Sequence, residues 1–412
     1  LRGEVSRTSY LAFLGQAYHH VRHTTPLLMT LGGRLPERLA WLRRAVAEYI
    51  EEEIGHEEWI LNDIAAAGGD AEAVRQSRPD LPAELMVAYA YDLIQRGNPA
   101  GFFGMVFVLE GTSVALALTA ADRIQQALGQ EVMGLLGFDF AHGRLDVSSH
   151  PFCGGVPTDV RITTRYNEQE FVSSLMGIVH ETGHARYEQG LPRHLLGQPV
   201  AEARSMGIHE SQSLFCEMQL GHAPAFLSLL APRIRAHFGE QAALAPANLE
   251  KLYNRVEPGF IRVDADEVTY PAHVILRYEL ERDLMEGRIE VADIPELWDA
   301  KMQQWLGLST KGNYQNGCMQ DIHWTDGSFG YFPSYTLGAM YAAQLRFALE
   351  RELGDMGQLI AAGRLPEIFG WLGRHIWSQG SLHGTDELIR RATGEALNPQ
   401  WLRKHLEQRY LK

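Results

Sequence analysis

Apolar residues recur at helical spacing along most of the chain, and the exceptions cluster in its middle. Leu39, Leu42, Val46, Ile50 and Ile54 stand three or four apart, which predicts one long helix over Leu35–Ala67. Pro36 suits its first turn, and Gly68 with Gly69 ends it. Helices are also predicted over Ser9–His23, Pro82–Gln95 and Pro99–Leu128, the last two separated by Gly97-Asn98-Pro99. Near residue 130 the pattern changes. Arg144–Ser148 and Asp159–Tyr166 are rich in β-branched residues and roughly alternate, so both read as strands, with a turn-rich segment His150–Pro157 between them. A further strand is expected over Phe260–Tyr270, and the rest reads as mostly helical. The fold class is therefore mainly α with a small sheet: an all-helical segment over 1–128, then a second region over 129–412.

Composition narrows the field. In 412 residues, 45% hydrophobic and 21% charged describe an ordinary globular chain with room for a large core. The formal net charge of −14 argues against nucleic-acid binding and against a polybasic membrane anchor. The most apolar stretch, Gly101–Ala121, is broken by Glu110 and several Gly, Ser and Thr residues, so a buried helix is expected there and no membrane span. Cys153, Cys216 and Cys318 are odd in number and contain no CxxC pair, which points to a reduced, cytoplasmic setting. Charged residues and histidines interrupt the first 25 positions, so no signal peptide is read there. The chain opens on Leu1 with no initiator Met, so the expectation is that the true N-terminus is missing.

The strongest chemical signal is His180-Glu181-Thr182-Gly183-His184. Histidines at i and i+4 lie one above the other on a helix face, so both imidazoles can reach one metal. Glu181 is turned about 100° away around the axis, which sets its carboxylate beside a metal-activated water as general base. Helical context is present: Asn167 with Glu170 reads as a capping pair, Phe171, Leu175 and Ile178 form an apolar stripe, and Gly190 with Pro192 stops the helix. A catalytic zinc needs a third protein ligand and an open position. Glu188, Glu202, Glu210 and Glu217 are downstream candidates, as is His209; Gly207–Ser213 is the best segment, opening an amphipathic run with Leu214 and Met218.

The text from Gly137 to Tyr410 closely resembles the carboxypeptidase Taq family of metallocarboxypeptidases. The resemblance rests on His150-Pro151-Phe152, on Asp159-Val160-Arg161-Ile162-Thr163, on the HETGH itself and on His209-Glu210-Ser211-Gln212. It continues through Ile261-Arg262-Val263-Asp264-Ala265-Asp266 and Gly317-Cys318-Met319-Gln320-Asp321-Ile322-His323-Trp324. It implies a large helical fold with a deep groove, Glu210 as third ligand beside His180 and His184, and zinc as the ion, with cobalt or manganese able to substitute. It also implies removal of C-terminal residues from peptide substrates with broad specificity, and a homodimer. By the same resemblance His323 and Tyr335 hold the tetrahedral intermediate or the substrate end. An exopeptidase needs a cation for the terminal carboxylate, and Arg262 is the first choice because its planar fork binds carboxylates in pairs. An ion pair with Asp264 or Asp266 is the alternative for Arg262; packing is the alternative for Tyr335. His150 is expected to line the pocket.

Residues 1 to about 128 depart from that family, whose members carry a longer helical wall to the groove. They resemble the N-terminal part of heme-oxygenase-like helical proteins, including iron-containing redox enzymes, over Ala17–Thr24, Glu52–Glu57 and Val108–Gly111. Glu53 and His56 have the Glu-x-x-His spacing of di-iron bundles, and no second pair follows before the peptidase region. Satisfied polar groups on a charged helix surface are the favoured reading there. Two other functions stand beside the zinc carboxypeptidase: a peptide- or zinc-binding protein impaired in turnover by the altered groove wall, and an iron-dependent oxidase acting through the N-terminal helices.

Overall fold

The computed structural model describes residues 6–148, 151–167 and 170–411, apart from the side chains of residues 110–111 and 113–118. It separates into two units that divide between Arg123 and Ile124, within one helix.

The first unit is helical: α1 (Arg7–Val21), α2 (Thr24–Arg34), α3 (Leu42–Glu53), α4 (His56–Ala66), α5 (Ala71–Gln76), α6 (Leu81–Arg96) and the start of α7 (Phe102–Leu135). The single helix expected over Leu35–Ala67 is interrupted. A short 3-10 turn at Glu37–Leu39 precedes α3, and Gly55 at φ 94° separates α3 from α4. That left-handed conformation is open to glycine, and it overrides an apolar pattern that runs through the break. Val46 still packs with Leu27, Leu28, Leu31 and Ile94 in one small core, while Leu14, Tyr18, Leu61 and Ile64 form another. Gly101–Ala121 is helical as expected, but Phe107 and Val108 are exposed rather than buried. No helix among the described residues is long and apolar enough to cross a membrane.

The second unit holds a three-stranded sheet: β1 (Gly143–Val147), β2 (Phe152–Val156) and β3 (Asp159–Thr164), in the order β1-β3-β2. β1 runs parallel to β3 with Leu145 opposite Ile162, and β2 runs antiparallel to it with Cys153 opposite Ile162. The segment read as turn-rich thus contains an edge strand. An edge strand needs only one partner and tolerates the Gly154-Gly155 pair that disguised it. Val160 and Ile162 face inward with Leu145, Phe138, Ile178 and Ala185, so the sheet packs on one side of α8 (Phe171–Gly190).

Helices fill the remainder: α9 (Met206–Leu214), α10 (Pro224–Phe238), α11 (Pro246–Tyr253), α12 (Tyr270–Met285) and α13 (Ile294–Leu306). After these come α14 (Pro333–Leu353), α15 (Met356–Ala361), α16 (Leu365–His375), α17 (Thr385–Thr393) and α18 (Gln400–Tyr410). The strand expected over Phe260–Tyr270 is absent; a 3-10 turn occupies Arg262–Asp264 and α12 begins at Tyr270. Asp266 explains the turn, because its carboxylate accepts from the backbone N–H groups of Glu257, Val268 and Thr269 and so holds the chain out of an extended form. The main core joins Leu175, Met176 and Val179 of α8 with Ile208 of α9, Leu345 of α14 and Trp371 of α16. Burying each such side chain contributes roughly 1.5–3 kcal/mol, so α8 is fixed from two sides.

Candidate metal centre

α8 begins at Phe171, with Glu170 as its cap: Glu170 Oε1 accepts from Ser173 N at 3.1 Å. The expected cap at Asn167 is replaced by its capping-box partner, since a carboxylate at the first turn also meets the helix dipole favourably. With the sheet on one face and the main core on another, the remaining face carries His180 and His184, whose ring centroids are 5.0 Å apart.

The third group comes from α9, which is capped by Ser205 Oγ accepting from Ile208 N. Two glycines let its neighbours close in. A β-carbon at Gly183 would overlap the carbonyl oxygen of Gln212, and one at Gly338 of α14 would stand 2.6 Å from Glu210 Cγ. Three helices therefore meet around Glu210, whose side chain is buried. Its Oε1 is 3.8 Å from His180 Nε2 and its Oε2 is 3.6 Å from His184 Nε2. One ligand atom from each of the three residues lies within 4.8 Å of the others, and this is the one such set among the described residues. Of the other candidates, Glu202 is exposed, whereas Glu217, His209 and Glu188 stand behind the histidines. His180 Nδ1 is 2.8 Å from Glu217 Oε2, His184 Nδ1 is 2.6 Å from His209 Nδ1, and His209 Nε2 is 2.8 Å from Glu188 Oε1.

The electrostatics fit a cation. Burial alone would lower His180, yet Glu217, Glu210 and Glu181 together push it up to about 10. Glu181 is pushed up to about 7 by burial, with Glu210 and Glu217 adding to the effect against His180. His184 is lowered to about 4, chiefly by burial, which keeps its imidazole neutral as a ligand must be. Two imidazoles turning Nε2 toward a carboxylate between them, with surplus negative charge around them, suit a metal ion.

A second polar cluster holds the other candidates. Arg262 is buried and does not pair with Asp264 or Asp266. It donates from Nε and Nη2 to Asp321, at 2.8 Å for the shorter contact, and from Nη1 to Tyr270 Oη at 2.7 Å. Fully buried Arg277 lies 3.6 Å from the same carboxylate and stacks on Trp324 and Phe332 at 3.9 and 4.5 Å. Tyr335 Oη and His323 Nε2 are 3.3 Å apart, and the Arg262 guanidinium sits 5.0 Å over the Tyr335 ring. Tyr335 is three residues before Gly338 on α14, so it shares the helix face that meets Glu210. His150 lies outside the described residues.

Residues 110–410 match the family described as carboxypeptidase Taq (M32) metallopeptidase. The chain belongs to that family. Residues 11–151 also match a family described as iron-containing redox enzyme. Thermostable carboxypeptidase 1 of Thermus thermophilus is 42% identical over 290 residues, 69% of this chain and 56% of that protein. Carboxypeptidase 1 of Bacillus subtilis is 40% identical over 288 residues, 69% of this chain and 57% of that protein. The chain thus spans little more than half the length of these curated relatives. Among solved structures, Trypanosoma cruzi metallocarboxypeptidase 1 superposes with TM-score 0.69 at 37% identity, covering 99% of this chain and 100% of that one. The carboxypeptidase from Deinococcus radiodurans gives 0.68 at 27% identity, covering 98% of each.

The family motifs mark the ends of both clusters and omit much of what supports them. Asp321 lies in the motif containing His323, but its partnership with Arg262 is 59 positions long and left no local pattern. Glu188 had a readable signal, since it follows His184 by four on α8 and so shares its face. Glu217 was read as a possible third ligand and stands instead on His180 Nδ1, a position that ordinary helical periodicity does not give because it lies in a π-helical segment, Phe215–Gly221.

Proposed function

We propose that this chain is a zinc-dependent carboxypeptidase of broad specificity that hydrolyses the C-terminal peptide bond of peptides. The observation that carries the reading is the convergence of His180 Nε2, His184 Nε2 and a Glu210 oxygen, with Glu181 next along the same helix. Zinc in such a set acts as a Lewis acid and makes water acidic enough to attack near neutral pH. Glu181 takes the proton of the attacking water and returns it to the leaving amine; a carboxyl held near neutrality can do both. Tyr335 and His323 donate to the oxyanion or the substrate end, and the N–H groups of Arg262 left over from Asp321 and Tyr270 meet the terminal carboxylate. The reading includes a homodimer in a reducing cytoplasm, in keeping with three free cysteines.

The test is to incubate the protein with an N-blocked dipeptide or tripeptide and measure released C-terminal amino acid with and without a chelator. Release that stops on chelation and returns with zinc supports the proposal. Tight peptide binding with no release would favour the non-catalytic binding protein, and release indifferent to the chelator would remove the metal from the mechanism.

A further inference from the structure

Both imidazoles of the metal set turn Nε2 toward Glu210, which leaves each Nδ1 for a second partner. The two partners differ. His180 meets the carboxylate of Glu217 directly at 2.8 Å, whereas His184 meets another imidazole, His209, at 2.6 Å, and only His209 reaches a carboxylate, Glu188, at 2.8 Å. We propose that His209 and Glu188 form a relay that positions His184, fixing its ring plane and tautomer for a metal on Nε2, as Glu217 does for His180. The inference rests on the zinc reading above.

Proton accounting gives the relay a single direction. A metal on His184 Nε2 takes that lone pair, so the ring proton sits on Nδ1 and is donated to His209. His209 Nδ1 must then be an acceptor, which puts its own proton on Nε2, where Glu188 accepts it. The relay also ties two helices together. Glu188 is one turn beyond His184 on α8, while His209 precedes Glu210 on α9. His209 itself is held edge-on by buried Tyr187, with ring centroids 5.2 Å apart, and Tyr187 Oη accepts from Arg204 N at 3.0 Å. Such outer partners of metal-bound histidines usually change metal affinity by about 10- to 100-fold when removed. His209 and Glu188 are positioning residues in this scheme, not ligands.

The test is zinc affinity, measured by competition with a chromophoric chelator on the full chain, and needs no turnover. Glu217→Ala and His209→Leu should each weaken zinc binding by about 10- to 100-fold. His209→Gln should recover most of the loss, because a side-chain amide offers one acceptor and one donor as the neutral ring does. Glu188→Ala truncates the far end and should weaken affinity less than His209→Leu. Thermal unfolding of the metal-free proteins separates this from general damage: the His209→Leu deficit should be seen in a variant that melts as a folded protein. If His209→Leu fails to fold, the comparison of Glu188→Ala and His209→Gln with the parent decides. Parent-like zinc affinity in His209→Leu or, where that variant is unfolded, in Glu188→Ala would overturn the relay while leaving the zinc reading intact, as would a His209→Gln no better than His209→Leu. A parent that takes up no zinc would overturn both.

Discussion

Gly183 lies against the backbone of Gln212 so closely that a β-carbon there would overlap the Gln212 carbonyl oxygen and stand 2.6 Å from Ser213 Cα. The glycine is the fourth letter of the metal motif, yet it supplies no ligand atom. Its contribution is the approach of α8 to α9, which brings two histidines from one helix to a carboxylate on the other.

Gly183→Ala should therefore act on the site through the scaffold. The neighbour is backbone and cannot swing aside, so α8 and α9 must separate, at a cost of about 1–3 kcal/mol for an overpacked contact. The expected outcome is a lower melting temperature together with weaker zinc binding. Gly177, on the same helix with nothing within 4 Å of its β-position, is the control. Its alanine variant should be neutral or slightly stabilising, since alanine gains helix propensity. Equal behaviour of the two variants would show that the close approach does not matter.

Glu181→Gln removes the proposed base and keeps the shape. Turnover should fall by about 10²- to 10⁴-fold, with zinc stoichiometry unchanged because Glu181 is outside the ligand set. Steady-state release of amino acid and metal analysis of the same preparation check both halves. A variant that loses its zinc would assign Glu181 to the metal rather than to the proton.

Asp321 is the carboxylate between two buried guanidinium groups, Arg262 and Arg277. Asp321→Asn would leave both with a neutral neighbour, and breaking a buried ion pair costs about 3–5 kcal/mol. Urea denaturation should register that loss. Arg262→Lys is the gentler probe: it keeps the charge but cannot serve Asp321 and Tyr270 together, so KM for free-acid peptides should rise more than kcat falls. An amidated peptide, lacking the terminal carboxylate, should be handled equally by variant and parent.

Much of this site was readable from the chain because its chemistry is local. His180, Glu181 and His184 sit within one and a half helical turns, so spacing alone aligns them. Glu210 was one of several acidic residues within reach; its amphipathic segment favoured it, and motif resemblance set it apart from its neighbours before the three helices met around it. What escaped the sequence depends on tertiary partners or on single backbone conformations. The β2 strand exists because β3 lies beside it, and the break at Gly55 comes from one left-handed residue inside an unbroken apolar pattern. Phe260–Tyr270 looks like a strand, but the Asp266 carboxylate gathers three backbone N–H groups and curls it.

That same loop is tied to the far end of the chain, which sets a pH dependence. Glu267 is buried and accepts from His405 Nε2 at 2.7 Å, Arg409 Nη1 at 2.9 Å and Tyr410 Oη at 3.0 Å, all on α18. Burial works to raise its carboxyl, but the bond from His405 and the charge of Arg409 hold it down to about 2, below its ordinary 4.5. His405 itself is lowered by burial, and its Nδ1 is 3.1 Å from Arg346 Nη1, which suits a neutral acceptor, so Arg409 supplies the lasting charge. A carboxyl lower in the native than in the unfolded chain adds stability that is present in full above about 4.5 and lost as pH falls through about 2. The size by linkage is on the order of 3 kcal/mol. Urea denaturation of the parent and Glu267→Gln across pH 7 to 3 should show the parent ahead at neutral pH, with the gap narrowing below about 4.5. A gap that stays constant across the range would mean that the ionised carboxylate is not what α18 holds.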